Sequence, residues 1–269
     1  MNSYEKEKHL YSIEDLSFLE VQYRLREQPV LVVVLGGTET YSCKAVNGIA
    51  TRICRSFGEA LCSKMDLLMA PVLPFGCSVP YMAFEGTSGI KPKTLTYLLG
   101  DLFRCWIFQK FRYFFVINPL AANSESLNEV SGRLAGSKSE VQFKIVDFHN
   151  DETIHKILKN NDAILPGAER FEKAFLALAS FLYPSMVRNC DAFGYKVSQE
   201  WDRKRYRSWK KRGADPAKYR KLFPSGVVDP DVVSGLHAQK GGNIYEEILN
   251  YLMRETENFL NGKIKGYNA

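Results

Sequence analysis

The side chains that could do chemistry gather in a few short stretches of this chain. Glu39-Thr-Tyr41-Ser-Cys43-Lys44 puts a carboxylate, a phenol, a thiol and an ammonium within six residues. A lysine beside a cysteine favours the thiolate, the form that attacks carbon. Glu39, or Glu172 further along, is a candidate general base. Together Glu39, Tyr41, Cys43 and Lys44 form a candidate catalytic set for acyl or C–N bond chemistry without a metal. Cys77, Ser78 and Tyr81 make a second group, Asn118 and Asn123 a third, and with Glu172 and Trp209 they are candidates to bind a substrate. The plainer reading is that Cys43 and Cys77 are packed core residues and that Lys44 neutralises Glu39. The four histidines, His9, His149, His155 and His237, all fall outside these stretches, so no imidazole is supplied there.

The surrounding elements decide whether these residues meet. Ile13, Leu16, Leu19, Val21 and Leu25 space an amphipathic helix over 13–27. Pro29–Leu35 is a continuous apolar, β-branched run, as expected of a central parallel strand covered on both faces. A helix over 50–63, a strand over 66–71, a helix over 92–110 and a strand over 111–117 follow. Ser124 is placed to cap a helix over 125–135. A strand over 141–148 and helices over 171–181 and 244–260 complete the pattern. Strands alternating with helices predict a three-layer α/β/α domain with a mostly parallel sheet. All 269 residues are read as one domain, with 202–222 as an insertion or interface element. Ligands of such sheets sit beyond the carboxyl ends of the strands, which selects the loops 36–48, 74–90 and 118–124.

These loops resemble the motifs of the creatininase (creatinine amidohydrolase) family. Leu35-Gly-Gly-Thr-Glu39 is similar to V-G-S-T-E at a strand end. Pro71-Val-Leu-Pro-Phe-Gly-Cys-Ser78 and Phe84-Glu-Gly-Thr87 are similar to P-x-x-x-Y-G-x-S and F-P-G-T. Asn118-Pro-Leu-Ala-Ala-Asn123 stands where that family has N-G-H-G-G-N, and Pro166-Gly-Ala-Glu-Arg-Phe-Glu172 resembles H-A-G-x-x-E. Pro224-Ser-Gly-Val-Val-Asp-Pro230 and Gln239-Lys-Gly241 are similar to P-S-G-V-x-G-D-P and E-K-G. The resemblance covers roughly residues 13–255. It implies a hydrolase with two divalent metals and a hexameric ring, in which 202–222 lies near subunit contacts and the pocket mouth.

The carried-over ligand positions depart from that pattern. The motif E-x-H-G-x-H-L-P-x-G-x-D falls on Glu39 to Ala50, where Tyr41 and Lys44 replace the histidines and Ala50 replaces the aspartate. Leu120 and Pro166 replace two further histidines, and only Glu39 and Glu172 match. Two carboxylates without imidazole cannot hold a pair of transition metals, and Lys44 would repel a dication. No metal ligand and no cofactor are therefore expected, beyond at most one weakly bound divalent ion.

The net charge of +6 is local. Residues 202–222 carry ten Lys or Arg against Asp202 and Asp215, net +8, which leaves −2 for the rest. Tyr206, Trp209 and Tyr219 interleave with these cations, as on a single-strand nucleic-acid surface. An oligomer interface or pocket rim explains the segment better, and nucleic acid ranks last among its partners. Gly241-Gly242 before a helix offers backbone N–H groups to an anion. No run of about 18 apolar residues exists to span a membrane. Met1–His9 is not a signal peptide. Six scattered cysteines without a C-x-x-C pair read as reduced, in a cytoplasmic protein. Two functions stand: a non-hydrolytic, ligand-binding, self-associating protein that takes a small molecule, or an enzyme acting on a small amide, lactam or cyclic amidine without two metals.

Overall fold

The computed structural model describes residues 10–41, 43–137, 140–164, 171–188, 215–223 and 238–263. Its centre is an all-parallel sheet of four strands in the order β2-β1-β3-β4: β1 Val30–Val34, β2 Leu68–Met69, β3 Tyr113–Asn118 and β4 Gln142–Asp147. Leu31 of β1 lies opposite Leu68 on one side and Phe114 on the other, and Phe114 lies opposite Phe143. Every residue of β1 is buried because helices cover both faces.

Side chains alternate across a strand, so β1 feeds two cores. Val30, Val32 and Val34 face a layer built from α2 (Ile49–Met65), α5 (Glu152–Asn160), α6 (Glu172–Leu182) and α8 (Ala238–Leu260). Leu31, Val33 and Leu35 face α3 (Pro92–Phe108) and α4 (Ser124–Ser137), with α1 (Phe18–Glu27) packed at the margin through Val21 and Leu25. This is the expected α/β/α arrangement. A short helix α7 (Pro216–Leu222) completes the described elements.

Several expected boundaries move for local reasons. The first helix begins at Phe18 rather than Ile13, because Ser17 caps it in a reciprocal box with Glu20. Ser12 instead bridges to Met69, so the segment before α1 extends the sheet edge. The second strand shrinks to two residues. Ser124 does not cap α4: it is the first residue of that helix, and its hydroxyl donates to Asp147. Gly241 and Gly242 lie inside α8, not before it. A Cβ on Gly241 would sit 2.1 Å from the Ala177 carbonyl oxygen, so this glycine permits close approach of α8 to α6 and forms no anion nest.

Candidate functional site

The carboxyl ends of β1, β2 and β3 are drawn together by two buried polar side chains. Thr51, in the first turn of α2, accepts from the Gly37 N–H at 2.9 Å and donates to the Gly37 carbonyl at 3.0 Å. A Cβ on Gly36 would meet the Thr51 hydroxyl at 2.4 Å, so only glycine lets the strand end reach α2. Asn123 accepts from the Cys77 N–H at 2.9 Å and donates to the Gly36 carbonyl at 3.3 Å. One amide thus joins all three loops. Asn118 shapes its own loop, accepting from the Leu120 N–H at 3.3 Å and donating to the Leu120 carbonyl at 3.1 Å. Both asparagines are wholly buried, and these bonds make them positioning residues.

Within this frame the side chains at the expected ligand positions lie in one apolar cluster. Tyr41, Ala50 and Leu120 are buried together with Phe171 and Phe175 of the α6 region. The Tyr41 and Phe175 rings are 5.3 Å apart, which brings the loop bearing Glu39 against the helix bearing Glu172. Both carboxylates are buried, at 5% and 3% exposure. Leu120 closes over Gly37, where an added Cβ would lie 2.5 Å from the Leu120 Cδ1. His149 stacks on Phe171 at 4.4 Å and His155 meets the same ring edge-on at 5.1 Å. Two histidines therefore stand beside the start of α6, as aromatic neighbours of Phe171.

The second loop is held from outside. Tyr81, in the single turn Val79–Tyr81, packs edge-on against Tyr219 of α7 at 5.3 Å. Arg220 donates to the Ala83 carbonyl at 2.5 Å, pairs with Glu85 at 2.7 Å, and lies 5.5 Å above the Phe84 ring. The guanidinium hydrogen bond holds the Glu85 carboxyl below its ordinary value. Asn47 ties the first loop to the Glu85 carbonyl at 3.0 Å. The carboxyl end of the basic segment is thus a docking helix for a site loop, which sequence reading missed. Its signal is Asp215-Pro216: the aspartate caps α7 and proline takes the first helical position. Ser78 is fully buried, and its hydroxyl has no hydrogen-bond partner among the described residues; the same holds for the Thr87 hydroxyl of this loop.

Cys54, Cys62 and Cys77 are free and buried, and Cys105 is free and exposed. Cys43 is disulfide-bonded in this structure and carries no free thiol there. Cys77 is only 2% exposed, and burial pushes its thiol up, which disfavours the nucleophilic form. Trp209, Pro166, Cys190, His9 and His237 lie outside the described residues.

The sequence profile of the creatininase family (creatinine amidohydrolase) matches residues 14–255. The chain belongs to the creatininase family. No curated protein matches its sequence. Among solved structures, a creatininase with a tryptophan-to-alanine substitution superposes with a TM-score of 0.70 at 17% identity, covering 93% of this chain and 98% of the other. A creatininase mutant of Zn–Zn type gives 0.66 at 15% identity, and a manganese creatininase gives 0.64 at 16%, both with 93% and 98% coverage. At these identities the likeness is one of fold.

Two of those structures carry zinc or manganese in their names, so the fit of this creatininase-family site to a metal pair is a test of its donors. Where the motif resemblance implies the first-loop histidines, the chain has Tyr41 and Lys44, and where it implies the aspartate and the third-loop histidine it has Ala50 and Leu120, both buried. Among the described residues, no three of His, Cys, Asp and Glu are grouped as a metal ion would require. Glu39 and Glu172 alone do not supply the four to six donors that each divalent ion takes. The described side chains do not fit a dinuclear centre.

Proposed function

We propose that this creatininase-family protein is a non-hydrolytic member that binds a small polar molecule at the loop ends of its sheet. The observation that carries this reading is the burial of Tyr41, Ala50 and Leu120 in the apolar core, with Tyr41 packed on Phe175, at the positions where the resemblance implies ligating side chains. Apolar groups at a ligand site give affinity through burial and leave orientation to a few polar groups. Ser78 is one such group. A buried hydroxyl without a partner calls for an explanation, and a ligand carbonyl or amide would satisfy it. Glu39, Lys44, Tyr81 and Glu172 are proposed to complete the polar lining, with Asn118 and Asn123 as its frame and Trp209 at its rim.

The competing reading is an enzyme that opens a small amide, lactam or cyclic amidine without metals. The disulfide at Cys43 and the buried thiol of Cys77 remove its two candidate nucleophiles, which favours binding over turnover. We further propose self-association, as the family resemblance implies. Thermal-shift screening of small lactams and cyclic amidines, paired with product assay, separates the readings. A binder is expected to raise Tm by a few degrees without product, an effect that a Ser78→Ala variant weakens. Sustained turnover of any such compound would replace this proposal with the enzyme.

A further inference from the structure

We infer that the outward face of α1 is a self-association surface, on which a second copy of the chain packs its own α1 antiparallel about a two-fold axis. This deepens the self-association proposed above and rests on it. The helix exposes more apolar surface than it covers. None of its ten residues is buried, and Phe18, Leu19 and Tyr23 are 78%, 60% and 60% exposed. Val21 and Leu25 already supply the side that packs on the core. Leu19, Gln22, Tyr23 and Arg26 follow at i, i+3, i+4 and i+7, so they form one outward stripe with Phe18 beside it. Three large apolar side chains so exposed offer roughly 400 Å² of contact surface, and patches of that size mark interaction sites. A standard interface takes about 800 Å² from each partner, so these three form an apolar centre and their polar neighbours a rim.

The charges choose the partner and the orientation. Asp15 stands just before the helix and Arg26 in its last turn, and both are exposed. Arg24 is turned inward to Asp66 at 2.9 Å. Glu27 lies about 100° off the stripe. Neither Asp15 nor Arg26 forms an ion pair among the described residues. The helix between them is about 15 Å long, too far for the two to meet within one chain. In an antiparallel pair Asp15 meets the partner's Arg26, and the two-fold axis repeats the contact. The helix dipoles also oppose each other in that arrangement. A parallel pair would set like charges side by side. Residues 1–9 hold only Met1 and Tyr4 as large apolar side chains, so that segment is a poor cover for the stripe.

The test is analytical ultracentrifugation of the full chain over a range of concentrations, with circular dichroism to confirm folding. The wild type is expected to sediment as an even-numbered assembly. Leu19→Glu is expected to halve the mass of that assembly or weaken it by about tenfold or more. Asp15→Arg and Arg26→Asp should each weaken association, and the double variant carrying both should restore it, because the exchanged charges meet only between chains. Restoration also excludes a folding defect as the cause. A wild type that assembles while Leu19→Glu keeps its mass overturns the α1 surface and leaves self-association standing. A double variant no tighter than the single ones overturns the antiparallel pairing. A monomeric wild type overturns both this surface and the self-association proposed above, whether α1 then takes vesicles of anionic phospholipid or nothing.

Discussion

Leu120 is the residue on which the proposed reading turns, because the motif resemblance implies a histidine at its position and its side chain closes over Gly37. At 3% exposure it is a core residue, so Leu120→Ala should cost about 2–4 kcal/mol in urea denaturation through lost packing and a new cavity. Leu120→His should also destabilise, by about 1–3 kcal/mol, since an imidazole there meets an apolar wall. A stabilised Leu120→His protein would mean that polar partners await it. Asn123→Ala should cost about 1–3 kcal/mol by leaving the Cys77 N–H and the Gly36 carbonyl unsatisfied. Motif order singled out Glu39, Leu120 and Glu172, and all three are buried in the structure. The disulfide at Cys43 was not legible, because cysteine spacing says nothing of which sulfurs meet in space. The Asn123 staple was hidden too, since a sequence shows an amide but not its partners.

At the scale of elements, the strands and helices with long apolar periodicity were the readable ones. β1 announced itself by five consecutive buried residues, and the α/β/α layering followed from its neighbours. α7 was unreadable as a helix because seven residues hold less than two full turns of pattern, and its cations masked Tyr219, which is fully buried. Gly241 was misread because close helix packing and anion binding both favour glycine. Gly241→Ala should lower stability by about 1–3 kcal/mol, despite the better helix propensity of alanine, as the methyl meets the Ala177 carbonyl. The docking of α7 carries a pH signature. Arg220 depresses the folded pKa of Glu85, so the pair adds stability above the ordinary carboxylate range and loses it as pH falls through the depressed value. The Tm difference between wild type and Glu85→Gln should therefore be present at neutral pH and vanish in acid. A difference independent of pH would assign Glu85 another role.

For the whole molecule, the fold is that of the creatininase family, and its loop ends are drawn together by Gly36, Asn118 and Asn123. On the proposed reading a phenol, an ammonium and two apolar groups stand where the family resemblance implies metal ligands, and a shared fold does not fix a shared function. Among the described residues no helix is long and apolar enough to cross a membrane. The most direct measurement is metal stoichiometry: incubate the purified chain with excess zinc or manganese, remove unbound ion by gel filtration, and count metal per chain by elemental analysis. The account predicts well under one equivalent, roughly 0.1 or less given two carboxylate donors. Two equivalents retained per chain would contradict it.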